Sequence, residues 1–452
     1  MKRIVLSDRG CMLIDNILEN TNWEILLLIV DDFGHHREKY CDNKRIKNIL
    51  TLSEIVNWNG KCNLNKDDVE KYLHIFNVGD YGSRRIKDDY HFSHYQFYIG
   101  LSFWNHFFEN NNIDMCIITN TLHGFPNDYL LEEVCIRKNI KCYNIFNHFF
   151  DKFGVYDLIN QELLCINDDN KAVVDIEKIA QYRKGFDYDE LEDIKDYKTI
   201  VKIVYKLFGA KGIRYGGFIL KGKHSIHYRE CTLFEYRNAI KKIKHVQKAV
   251  RKLYATPDYS KNYLVTFLHF EPEAVLTGNA QIIDSQIMQI RMLADKLPEG
   301  WVLYVKEHPD LYEKINSWRL EYHVPVLPTF YTEYFYNAIN AISNVQLVDY
   351  KISATEMIKN SRAIATVAGT VMTEAICMKK PLLMFADKRH VYCLSEDVFH
   401  IQSSEDIENA LMKIQQDYVP DYSNISGLCD RYLSTKDDEG KNNIIKILEH
   451  QE

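Results

Sequence analysis

Apolar and polar positions follow two rhythms along the chain, and each rhythm predicts an element. Residues 2–7 (KRIVLS) read as a short strand, residues 11–19 as a helix with Met12, Leu13, Ile17 and Leu18 on one face, and WEILLLIVDD as an apolar strand closed by carboxylates. An apolar run without alternation marks a parallel strand covered on both faces. The pattern returns as a helix over 95–109, a strand over 115–119, the loop TLHGFPND, a helix over 129–138 and a strand over 141–145. Strands alternating with helices predict a doubly wound α/β domain over residues 1–150.

Residues 151–257 break this rhythm, being charged, Tyr-rich and helical in pattern, and are predicted to form a helical insertion and connector. After Pro257 the alternation resumes, with strands over 263–268, 301–305, 345–347, 363–366 and 381–385 and helices over 284–296, 354–360, 371–378 and 404–415. This predicts a second α/β domain over 258–435, followed by an amphipathic helix within 436–452. Two such domains leave a cleft facing the carboxyl ends of their strands, where open parallel sheets take their ligands.

Composition narrows the picture. A chain of 452 residues with 46% hydrophobic and 26% charged positions is an ordinary multidomain globular protein. Its 30 Tyr and 22 Phe suit broad cores and sugar-stacking surfaces alike. A net charge of -7 gives no global basic field and argues against nucleic acid as partner. One stretch runs against that balance. Residues 198–252 gather Lys and Arg, among them Lys241, Lys242, Lys244, Lys248, Arg251 and Lys252, directly after the acidic run 187–196. This is either a solvated helical face or a basic surface for an anionic polymer or membrane leaflet.

The 11 cysteines include no CxxC pair and read as reduced thiols, so a cytoplasmic protein is expected. No hydrophobic signal region follows MKRIVLSDRG, and the apolar stretch over 25–30 is too short to span a bilayer, so any association with the inner membrane is expected to be peripheral.

Four strand-end loops carry candidate chemistry. In HFEPEA, Glu271 and Glu273 are spaced as a base or hydrogen-bond acceptor, or belong to a capping loop. In YVKEHPD, Pro309 halts a buried strand so that Lys306 and His308 can turn to the cleft as donors for a phosphate or nucleotide. In TVAGTVMTEA, Gly369 allows close backbone approach, the helix start at Thr370 suits an anion, and Glu374 lies one turn inside; plain strand-to-helix packing is the alternative. In TLHGFPND, His123 and Asp128 form either a base pair for catalysis or a satisfied structural histidine with its carboxylate.

The runs YLVTFLHFEPEAV, LPEGWVLYVKEHP, FYNAINAISNVQLVD and ATEMIKNSRAIATVAGTVMTEAICMKKPLLMF, with a helix holding Asp284 and Gln286 between the first two, resemble the capsule polysaccharide biosynthesis family. These are bacterial glycosyltransferase-like proteins of GT-B architecture that include capsule Kdo transferases. The resemblance covers residues 258–390, and more loosely IDMCIITNTLHGFPNDYLLEEVCIRKNIKCYNI in the first domain. It implies a GT-B-like fold of two Rossmann-like domains, a nucleotide-sugar donor on the second and a glycan or lipid-linked glycan acceptor on the first. His308 and Pro309 match the family's His-Pro pair at the nucleotide, often CMP. Gly369, Thr370 and Glu374 match its Gly-Thr and Glu-Ala segment beside the donor phosphate and ribose, with Lys306 on the same side. Glu271, Glu273, His123 and Asp128 are the catalytic candidates, and the chemistry needs neither metal nor cofactor. VLPTFYTEYFY stands where the family carries an Arg-containing segment, and residues 151–257 match nothing in it. The alternatives are glycerophosphate transfer from a CDP-alcohol and a non-catalytic glycan-binding or scaffold protein of capsule assembly.

Overall fold

The computed structural model describes residues 1–30, 36–61, 64–76, 80, 90–119, 126–148, 152–167, 233–271, 285–309, 311, 327–386 and 388–451. Strands β1 (Arg3–Ser7), β2 (Glu24–Val30), β3 (Ile49–Thr51), β4 (Met115–Thr119) and β5 (Lys141–His148) run parallel. β6 (Lys152–Asp157) returns antiparallel to β5, and β7 (Glu162–Leu163) pairs with β6. The eight-stranded sheet has the order β14-β6-β5-β4-β1-β2-β3, with β14 formed by Leu433–Thr435 and β7 beside β6.

The period of two explains its two faces. Ile4 and Leu6 of β1 and Met115 and Ile117 of β4 pack with helix α1 (Ile14–Asn20), whereas Val5, Cys116 and Ile118 point the other way. That second face meets helices α2 (Tyr90–Asn110) and α3 (Pro126–Lys138) through Phe97, Leu101, Trp104, Leu130 and Val134. The same apolar cluster continues into the second domain.

The second sheet is parallel throughout, in the order β10-β9-β8-β11-β12-β13. Its strands are β8 (Tyr263–Phe267), β9 (Val302–Lys306), β10 (Val345–Val348), β11 (Ala363–Thr366), β12 (Leu382–Met384) and β13 (Val398–His400). Numbered within the domain this is 3-2-1-4-5-6, the Rossmann order, and the first sheet follows 3-2-1-4-5 before its antiparallel edge. Both domains are therefore doubly wound and Rossmann-like, as expected. Helices α4 (Leu233–Val250), α5 (Gln286–Lys296), α6 (Leu327–Phe330), α7 (Glu333–Asn340), α8 (Ala354–Asn360), α9 (Val371–Cys377), α10 (Ser404–Gln415) and α11 (Asn424–Tyr432) belong to this half. Side chains of Ser285, Thr332, Ser353 and Ser403 cap α5, α7, α8 and α10, each accepting from the amide three residues on.

Two expectations are corrected. Residues 152–163, expected in a helical insertion, form β6 and β7, because Phe153 and Val155 face the α1 layer while Tyr156 faces the other side. Elsewhere in the expected insertion, 151–257, α4 is helical, and 168–232 lies outside the described residues. At the other end, Leu433–Thr435 form β14, expected in the second domain but paired with β6 of the first. Helix α12 (Asp438–His450) then packs Ile444, Ile445 and Leu448 with α1 residues Ile14 and Ile17, and Lys2 Nζ donates to the Leu448 and Glu449 carbonyls. The chain thus crosses back to close the first domain.

Arg389, in the loop after β12, reaches the first domain. Its guanidinium forms an ion pair with Glu132 of α3 at 3.2 Å, and Glu132 also accepts from Asn144 Nδ2 of β5 at 2.7 Å. The guanidinium lies 5.5 Å from the centre of the Tyr156 ring.

Candidate functional site

In doubly wound sheets ligands bind at the carboxyl ends of the strands, where the winding changes direction. Here that point falls between β1 and β4 in the first sheet and between β8 and β11 in the second.

The first is filled by the chain itself. Asp8, directly after β1, is fully buried and accepts from the amides of Met12, Leu13 and Ile14 and from Thr119 Oγ1, at 2.7–3.1 Å. Its carboxylate occupies the amides at the start of α1, the place where such a turn would hold a phosphate. Burial raises its pKa, against the lowering effect of those hydrogen bonds. Beside it Arg9 Nη2 meets Asp128 Oδ2 at 3.1 Å, and Ser7 Oγ donates to Asp128 Oδ1 at 3.2 Å. Asp128, a candidate base, is 1% exposed and has its pKa raised by burial, with Arg9 opposing. Its carboxylate is committed to a buried ion pair. His123 lies outside the described residues.

The second turn is built differently. β8 ends in Leu268, His269, Phe270 and Glu271, and one side chain from α5 organises that loop. Gln286 Oε1 accepts from the His269 amide at 2.7 Å, while Nε2 donates to the His269 carbonyl at 3.3 Å and to Glu271 Oε2 at 2.7 Å. The Tyr331 hydroxyl, between α6 and α7, accepts from the Glu271 amide at 2.9 Å. Glu271 is therefore held at both backbone and side chain. Glu273 lies outside the described residues.

From β11, Thr366 Oγ1 donates to the Ala368 carbonyl at 3.0 Å and lies 3.3 Å from His269 Nε2. Its single proton being used, the geometry assigns the His269 proton to Nε2. Burial, with a smaller effect from His308, lowers the His269 pKa to about 3, so the ring is neutral across the physiological range. Gly369 has φ +108, a conformation that L side chains rarely adopt, and a Cβ there would sit 3.9 Å from His269 Cε1. It is exposed, and Thr370 begins the seven-residue α9 without a side-chain cap, in contrast to the turn held by Asp8. Glu374 is buried one turn inside α9, as its spacing from Gly369 predicts.

The KEHPD segment divides. Lys306, expected to donate to a ligand, is 5% exposed and gives its ammonium to the Tyr350 carbonyl at 2.7 Å, bracing the loop after β10. Glu307 is buried as well. His308 and Pro309 are half-buried, and the His308 ring lies 6.0 Å from that of Phe270, which in turn is 6.2 Å from Tyr331. The structure thus brings together Glu271, His308, Gly369 and Thr370 around the carboxyl ends of β8, β9 and β11. Sequence reasoning singled out neither Tyr331 nor Thr366, and gave no role to His269 or Gln286. A Gln at a helix start carries no local signal of its partner 15 residues earlier.

No protein-family model matches the sequence, and no curated protein does. Among solved structures, the UDP-GlcNAc 2-epimerase of Neisseria meningitidis, bound to UDP-GlcNAc, aligns over 100% of both chains at 12% identity with a TM-score of 0.26. The β-Kdo 2,7 transferase KpsC of Thermosulfurimonas dismutans aligns over 76% of this chain and 88% of its own at 9% identity, TM-score 0.29. The β-Kdo 2,4 transferase KpsC of the same organism covers 74% and 87% at 10% identity, TM-score 0.31. At these values the likenesses add no weight to any reading of the site. The strand order and the side chains at the strand ends carry it, and they establish two Rossmann-like domains in one chain.

Proposed function

We propose that the chain is a glycosyltransferase of GT-B type that takes a nucleotide-sugar donor at the β8–β11 turn of its second domain. The carrying observation is the contrast between the two turns: Asp8 fills the one in the first domain, while in the second Gly369 is exposed, Thr370 is half-buried and makes no side-chain cap to α9, and His308 and Glu271 follow the neighbouring strand ends. A glycine that admits close backbone approach and helix-start amides suit the donor phosphate, and His308 suits the nucleotide. Glu271 is the candidate base for the acceptor hydroxyl. The hydroxyl oxygen bonds to the anomeric carbon, its proton passes to the carboxylate, and the sugar–phosphate bond breaks with the electron pair leaving on the phosphate. Hydrogen-bond donors at the turn stabilise that leaving charge without calling on a metal. Lys306 supports this site through the Tyr350 carbonyl, and Asp128 keeps Arg9 in place.

The acceptor in this proposal is a capsular or other surface glycan, free or lipid-linked, and the work is cytoplasmic. No described helix is long and apolar enough to cross a membrane.

Thermal-shift binding against CMP, CDP, UDP, GDP and ADP tests the proposal, since a ligand of the folded state raises the midpoint. A selective shift by one nucleotide, lost in His308→Ala, is expected. CMP would indicate a Kdo- or sialic-acid-like donor and UDP or GDP a hexose donor, while CDP would favour glycerophosphate transfer. No shift from any nucleotide would sink the donor site and favour a non-catalytic glycan-binding protein.

A further inference from the structure

From Arg237 to Lys252 the chain reads RNAIKKIKHVQKAVRK, with seven Lys and Arg and no Asp or Glu, in a protein of net charge -7. The structure sorts these residues by side. Ala239, Ile243, Gln247 and Val250 of α4 are buried, and Gln247 Nε2 donates to the Leu311 carbonyl at 3.1 Å. At about 100° per residue, Arg237, Lys241, Lys244 and Lys248 fall within an arc of about 60°, turned away from that buried side. All four are exposed, and Arg251 and Lys252 continue the row past the last turn. At 1.5 Å per residue the row is about 22 Å long. Among the described residues no carboxylate pairs with Lys241, Lys242, Lys244 or Lys248, and Glu333 lies 3.2 Å from His245.

We propose that this face of α4 is the surface by which the chain rests on an anionic lipid leaflet. A straight row of cations on a rigid helix matches a plane of phosphate headgroups, and it lacks the interspersed carboxylates usual on a solvated face. The apolar side of α4 is already spent inside the protein, so contact is electrostatic and reversible, without insertion. The helix that carries the row packs its other side with α6 and α7, and Tyr331 between those helices holds the Glu271 amide. The surface stands on its own charges. Its use, presenting a lipid-linked acceptor to Glu271, rests on the transferase reading.

Flotation with vesicles of phosphatidylcholine, with and without phosphatidylglycerol, tests it on the full chain. The protein should float with anionic vesicles at low salt, and neither with phosphatidylcholine alone nor at high salt. The charge-reversed variant Lys241→Glu/Lys244→Glu/Lys248→Glu should partition at least ~10-fold more weakly. These side chains are exposed, so the variant should keep its melting point and its nucleotide-induced shift, which separates failure of the surface from failure of the donor site. No flotation of the wild type, equal flotation of the variant, or capture by soluble heparin without capture by vesicles would each overturn the proposal.

Discussion

Gln286 binds the Glu271 carboxylate through Nε2 at 2.7 Å while its Oε1 takes the His269 amide at the same distance, so one side chain sets both the loop and its carboxylate. Gln286→Leu removes both contacts, and turnover is expected to fall at least ~10-fold with a stability loss of about 1–3 kcal/mol. Gln286→Glu sets a second carboxylate beside Glu271, which raises the pKa of the base and should move the acid limb of the pH–rate profile upward. An unchanged pH profile in Gln286→Glu would remove Glu271 from the chemistry.

The Arg389–Glu132 pair joins the two domains with side chains only 10% and 5% exposed. Breaking a buried pair strands its partner, so Arg389→Met should cost about 3–5 kcal/mol, whereas Arg389→Met/Glu132→Leu should recover part of it. Thermal melts of the single and double variants measure the coupling. Additive losses would mean that the pair contributes nothing as a pair.

Arg9→Met and Asp128→Asn are expected to lower the melting point together, because each leaves the other buried charge without its partner. Nucleotide binding by the protein that remains folded should persist. Full stability combined with abolished turnover in Asp128→Asn would return that residue to catalysis.

His269 gives the pH dependence a definite sign. In the unfolded chain it takes up a proton as pH falls through about 6.5, but in the folded chain its pKa is lowered to about 3. Between those values the unfolded state binds more protons, so acidification costs stability there. His269→Asn lacks this contribution, and its melting point should fall less than that of the wild type between about pH 7 and about pH 4. Parallel curves would contradict the neutral imidazole.

Much of this fold was legible in the sequence because parallel strands are apolar runs whose ends are sharply marked. Met115–Thr119, Ala354–Asn360, Ala363–Thr366 and Ser404–Gln415 occur where the pattern places them. The return of β14 and α12 to the first domain was not legible, since Leu433–Thr435 is a three-residue strand whose partner β6 lies some 280 positions earlier. The strand-to-helix turn at Gly369, with Glu374 one turn inside α9, occurs where the pattern places it. Lys306 differs because a lysine at a strand end looks alike whether it faces a ligand or, as here, the Tyr350 carbonyl. For Asp128, the sequence could not show that Arg9, from another loop, would claim it.

The structure of the chain in complex with whichever nucleotide stabilises it most tests the donor site at the β8–β11 turn. The nucleotide phosphate is expected at the amides of Gly369 and Thr370, with His308 beside the nucleotide and Asp8 still bonded to Met12, Leu13 and Ile14. A nucleotide seated at the β1–β4 turn of the first domain, with Asp8 displaced from those amides, would contradict it.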